Sequence, residues 1–188
     1  ADLCGFTQYD NDECDQWGGD AGIRIAEPFT IVGGIVQMCF PGQGRPLGNP
    51  CDFLDWGTDI DMWIENHTNQ TRYMNVVFDW NMNGSWGDWT LCTISNPDNE
   101  HVVVDLPVPG GYVGPMSALN PGGFQVQVGD EGYVWTRFTL SDMPVGVDGW
   151  DGQGTFGDGE TEDYLFKVSY ATPAEDLPIE AGVRLEQS

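Results

Sequence analysis

An all-β fold is predicted, an antiparallel β-sandwich of jelly-roll or Ig-like type with long acidic, Gly-rich loops. Three observations predict it. The chain carries 26 glycines and 12 prolines in 188 residues, so turns are frequent. No stretch sustains a 3.6-residue apolar period. Instead, apolar and polar residues alternate, as in a half-buried strand, with Ile60, Met62 and Ile64 on one face and Asp59, Asp61 and Glu65 on the other.

Residues 1–21, rich in Asp, Gly and Asn, read as an irregular arm carrying Cys4 and Cys14. A β-rich run from Gly22 to Phe40 follows, broken at Pro28; it predicts central strands, with a bulge or close backbone approach at Gly33 and Gly34. Residues 41–51 are a loop by composition. The strand around Ile60–Ile64 and the run RYMNVVFDW, with Met74, Val76, Phe78 and Trp80 on one face, flank the polar turn HTNQT and predict a hairpin. The strand from His101 to Pro109 belongs at a sheet edge because Pro107 and Pro109 lack a ladder donor. FQVQV and EGYVWTRFTL predict a second hairpin. The last strand places Tyr164, Phe166, Val168 and Tyr170 on one face. This reading makes residues 22–170 the β domain, and residues 171–188 a flexible tail or an extended strand that needs a partner.

Thirty acidic residues against six basic ones leave a net charge of −24. Nucleic acid and anionic membrane are thereby disfavoured as partners, and divalent cations are the natural counterions. No apolar run reaches membrane-spanning length, and a start at Ala1-Asp2 is compatible with a mature, processed chain. The five cysteines lack zinc spacing and point to disulfides in an oxidising, extracellular or cell-surface setting. Cys4 with Cys14 and Cys39 with Cys51 would close short loops, leaving Cys92 as the odd thiol, one pairing among many.

The chemistry concentrates in FDWNMNGSWGDW, residues 78–89. Asp79, Asn81 and Asn83 stand two apart, Gly84 follows, Ser85 offers a carbonyl, and Asp88 lies three residues on. Alternating oxygen donors with Gly at the sixth position suit calcium, although Thr90 stands where an EF-hand would have its bidentate Glu. Plain turn chemistry is the competing account. Only two of these donors are charged, so another carboxylate is expected from elsewhere, with Asp158, Glu160 and Asp163 as candidates. Asp148 and Asp151 offer a second, weaker site.

Catalytic signatures are missing: HExxH, GxSxG and phosphate loops do not occur, and His67 and His101 both lie in polar turns. Trp80, Trp86 and Trp89 cluster around the loop, and indole faces stack on sugars as readily as they fill cores. Asn66, Asn69 and Asn83 head N-x-S/T sequons, with Asn66 and Asn69 the better glycan acceptors because Asn83 is a candidate ligand.

GDGETEDYLFKV, residues 157–168, resembles the GEVEDY signature of the GEVED domain of secreted and surface bacterial proteins. Gly159, Glu160, Glu162, Asp163 and Tyr164 match, and Thr161 replaces the valine. Upstream, FDWNMNGSW is similar to the family's DWNxDGxF-like loop, with Asn83 for Asp and Trp86 for Phe. VVVDLPVP and VWTRFTLSD, carrying Arg137, look like two intervening family strands, so the resemblance spans about residues 58–170. It implies a non-catalytic β-sandwich module of a secreted or surface protein. Together these features predict a calcium-stabilised structural or adhesive protein, self-assembling into a homo-oligomer, filament or surface array. A carbohydrate-binding module using exposed Trp, and an accessory domain of a larger secreted enzyme, are the alternatives.

Overall fold

A computed structural model describes residues 22–38, 45–93, 96–128, 130–146 and 149–170. Over these the chain is all-β and its sheets are antiparallel. The strands are β1 (Gly22–Ile25), β2 (Phe29–Val32), β3 (Ile35–Met38), β4 (Phe53–Leu54), β5 (Asp61–Glu65), β6 (Arg72–Phe78) and β7 (Trp89–Thr93). They continue as β8 (Asn96–Asn99), β9 (His101–Val108), β10 (Val113–Pro115), β11 (Phe124–Gln125), β12 (Gly132–Ser141) and β13 (Gly159–Val168), with a 3-10 turn at Met116–Leu119.

Six strands form one sheet in the order β3-β2-β13-β12-β6-β9, and three form another in the order β1-β5-β10. β7 pairs with β8, and β4 with β11. Apolar side chains of both larger sheets meet in a single core, Ile23, Met62 and Ile64 from one and Val76, Phe78, Phe138 and Phe166 from the other. Ile60, Met62, Ile64, Met74, Val76, Phe78 and Trp80 are all buried, as the alternation predicts.

The pairing differs from expectation. β5 and β6 are not a hairpin: β5 pairs with β1 and β10, whereas β6 pairs with β12 and β9. Each has one apolar face, and placing the strands in different sheets directs both faces into the same core. β11 and β12 are likewise not a hairpin, since β12 lies between β6 and β13, with ten residues in register against β13. Gly33 and Gly34 are neither bulge nor close approach; they are the two-residue turn of the β2–β3 hairpin, with φ of +60° and +81° and open space at both Cβ positions. Positive φ at both central residues is what such a turn needs. The 22–40 run is central only in part, because β3 is an edge of the six-stranded sheet.

β9 is the other edge, as its prolines predict. Its bulge at Asp105, φ 49°, turns that carboxylate onto the backbone N–H groups of Val145 and Gly146, at 2.8 and 2.9 Å. Asn75 adds a bond from Nδ2 to Asp105, 3.0 Å, and accepts at Oδ1 from His101 Nε2, 2.8 Å. The second face of β6 is therefore covered too, which explains why Asn75, Val77 and Asp79 are buried alongside its apolar face. Asp61 also departs from the solvent face expected for it: it is 3% exposed and accepts from the N–H and Oγ of Ser117 at 3.0 and 2.8 Å.

Candidate functional site

The acidic loop begins where β6 ends. Phe78 stacks on Trp80 with centroids 4.3 Å apart and planes at 4°, and both rings are buried, so the residue between them is rigidly placed. Asp79 donates its N–H to the Trp135 carbonyl at 2.9 Å, and its carboxylate turns into the loop. Oδ1 accepts the N–H of Asn83 and Oδ2 that of Gly84, each at 2.9 Å. Asn81 Oδ1 also accepts from the Asn83 N–H, 3.0 Å, and Asn83 Oδ1 accepts from the Ser85 N–H, 2.7 Å. Gly84 takes φ of +80°, a conformation costly to a residue with a Cβ. Asp88 is drawn over the loop by Asn83 Nδ2 at 2.8 Å. The alternating side chains thus fold inward, as their spacing predicts.

The further carboxylate comes from Glu100, at the junction of β8 and β9, which sequence reasoning missed. Its backbone is locked between Phe78 and Asp88: the Phe78 N–H donates to Glu100 O at 2.9 Å, and the Glu100 N–H to Asp88 O at 3.1 Å. Its side chain is 0% exposed and accepts from the N–H of Asp88 at 3.1 Å and, more weakly, of Asn81 at 3.5 Å. Burial raises the Glu100 pKa to about 7 against the lowering effect of those two N–H bonds, with the charges of Asp79 and Asp88 adding to the rise. Among the described residues none of Asp79, Asp88 and Glu100 forms an ion pair with a basic side chain. Nor does any group of three or more His, Cys, Asp and Glu among them stand ready to hold a metal ion. Their carboxylates are turned onto backbone N–H groups, and the remaining loop donors are amide and carbonyl oxygens, the oxygen type that a hard cation accepts.

The acids expected to complete this set lie elsewhere. Asp158 pairs with Arg72 at the opposite end of β6 from Asp79, across about 23 Å of extended chain. Glu160 is level with Leu140 and hence Met74, again toward that far end. It lines a cavity with Glu162, Met62 and Phe138, while Tyr164 donates its hydroxyl to Glu162. Asp163 faces the other way and is bound bidentately by Arg137, at 2.7 and 2.6 Å. Antiparallel pairing causes this: β13 starts beside the beginning of β6 and only its later residues approach Asp79.

Arg137 links the two motifs without an ion. Its guanidinium lies 4.1 Å over the Trp86 ring and donates to the Gly152 carbonyl at 3.1 Å. Gly152 presses so closely on Trp86 that an added Cβ would meet the ring at 2.2 Å. Asp163, Arg137, Trp86 and the 149–154 loop form one stack, leaving a polar cavity of about 400 Å³ lined by Ser85, Asp151 and Gln153. Asp151 serves its turn, accepting from the Gln153 N–H at 3.0 Å. Asp148 lies outside the described residues.

Cys51 is bonded to Cys92, not to Cys39, so Cys92 is not the odd thiol. The bridge ties the segment before β4 to β7, a contact between distant parts of the chain that short-loop reasoning does not reach. Cys4, Cys14 and Cys39 lie outside the described residues. The two favoured sequons also diverge. Asn66 is 1% exposed, and its Nδ2, the atom that would carry a glycan, donates to the carbonyls of Gln70, Val108 and Pro109 at 2.9 to 3.0 Å. A glycan there is incompatible with this packing, whereas Asn69 is exposed. Compared with family models, curated proteins and solved structures, the chain finds no match.

Proposed function

We propose that this chain is a non-catalytic, secreted structural or adhesive protein, a β-sandwich of GEVED type whose first acidic loop is held by calcium. The carrying observation is Glu100, a buried carboxyl pushed to about 7 with Asp79 and Asp88 facing it. A divalent cation would replace its proton and relieve the repulsion. Asp79, Asn81, Asn83, Asp88 and Glu100, with the Ser85 carbonyl, are the residues that would hold it. Both histidines already have partners, His67 on Glu65 and His101 between Asn75 and the Trp150 N–H, which favours a structural reading over a catalytic one. The Cys51–Cys92 bridge fits an oxidising compartment.

Self-association is the proposed use of the fold. β3 is an uncharged edge strand, and the β2–β3 hairpin exposes Ile31 at 49% and Ile35 at 65%. Edges of this kind are normally blunted by charge or cover, and left open they template pairing with another chain. The test is solution mass by light scattering together with thermal unfolding, in about 1 mM calcium and after chelation, a concentration set by extracellular affinities. Large species whose loss accompanies a lower melting temperature on chelation are expected. A 20.7 kDa monomer in both conditions overturns self-association. An unchanged melting temperature overturns the calcium site.

A further inference from the structure

A groove of about 350 Å³ opens beside the acidic loop, between the start of β7 and the segment after β11. Trp89 stands at it with 66% of its surface exposed. Trp80 and Thr90 also line it and are 1% and 7% exposed, with Asn81, Gln127 and Asp130 adding polar groups. Among the described residues four buried side-chain polar atoms have no hydrogen-bond partner, and two of them, Trp80 Nε1 and Thr90 Oγ1, belong to this groove. An unmet buried donor is costly, and two beside one exposed indole mark a surface that a polyhydroxylated ligand would complete. Gln127 is already fixed, its Oε1 accepting the Cys92 N–H at 3.0 Å, so that side of the groove is preorganised.

We propose that this groove is a saccharide-binding site for a neutral, β-linked glucopyranoside chain. An all-equatorial pyranose has an apolar C–H face that fits the flat Trp89 ring, while its hydroxyls supply partners for Thr90, Trp80 and Asn81. Asp130 at the groove, Asp79, Asp88 and Glu100 in the neighbouring loop, and a net charge of −24 repel uronic or sulfated sugars. This site does not depend on the calcium reading. It shares Asn81 with the loop but takes its aromatic wall from β7.

The test is titration of the intact protein with cellohexaose, and separately with hexagalacturonate, followed by the indole N–H resonances, in calcium and in chelator. Cellohexaose is expected to shift the Trp89 and Trp80 resonances in both media, and hexagalacturonate neither. Trp89→Ala, at an exposed position, should weaken binding about tenfold or more, the scale of one lost stacking contact with its buried area. Thr90→Val is the second variant: removing an unpartnered hydroxyl should leave the melting temperature equal or higher while cellohexaose affinity falls several-fold. Wild-type resonances that do not move, equal affinity in both variants, or equal affinity for hexagalacturonate would each overturn the proposal. Binding lost only in chelator, with the fold retained, would overturn its independence from the cation.

Discussion

Replacing Glu100 with Gln should change how stability depends on pH. Burial, joined by Asp79 and Asp88, moves the Glu100 carboxyl from 4.5 to about 7, so the folded protein holds a proton that the unfolded chain has released across that interval. Unfolding free energy falls wherever the native state binds more protons, so Glu100 stabilises the fold below about pH 4.5 and loses that contribution as pH rises through about 7. The full loss is about 3 kcal/mol, at 1.36 kcal/mol per pKa unit, and most of it falls between about pH 5 and pH 8. Gln keeps the volume, offers one oxygen to the Asp88 N–H and does not titrate. Urea unfolding of both proteins in chelator, at fixed ionic strength, should therefore show the variant gaining on the wild type by roughly 2 to 3 kcal/mol over that range. Calcium should restore the wild type at about pH 8 and leave Glu100→Gln nearly unchanged, since one of three carboxylates at the loop is gone. Parallel stability curves for the two proteins would refute the assignment of Glu100 as a buried, cation-seeking group.

Two further outcomes follow from geometry. Cys51→Ser should lower stability by about 4 kcal/mol, the loop-closure entropy of roughly 42 residues, and a denaturation midpoint unchanged from wild type would exclude Cys51–Cys92 as a constraint on the unfolded chain. Arg137→Met should cost roughly 2 to 3 kcal/mol, because it removes a bidentate, partly exposed ion pair to Asp163 and the contact with Trp86. It should also speed amide exchange in residues 80–89. A double variant with Asp163→Asn that destabilises by the full sum of the two single changes would show that the pair is not coupled.

The acidic loop was legible because its chemistry is local. Asp79, Asn81 and Asn83 curl inward through bonds that span four residues or fewer, with Asp79 to Gly84 spanning five. Glu100 was not legible, since NPDNEH reads as a polar turn, and only the placement of β9 beside β6 carries its carboxyl into the loop and away from water. Asp158 and Asp163 misled for the converse reason: proximity to a signature motif says nothing about which arginine lies across the sheet, and Arg72 and Arg137 claim them.

Alternation in β5 and β6 determined by itself which side chains are buried, because side-chain direction has a period of two along any strand. It did not determine their neighbours. An apolar face at Ile60, Met62 and Ile64 is equally satisfied beside Met74, Val76 and Phe78 in one sheet or opposite them across a core, and the second arrangement is the one found. The sequence alone thus determined the all-β class, the strand faces and the inward-turning loop. Tertiary structure decided the strand order, the Cys51–Cys92 bond, the sealing of Asn66 and the burial of Glu100, because each depends on contacts between residues tens of positions apart.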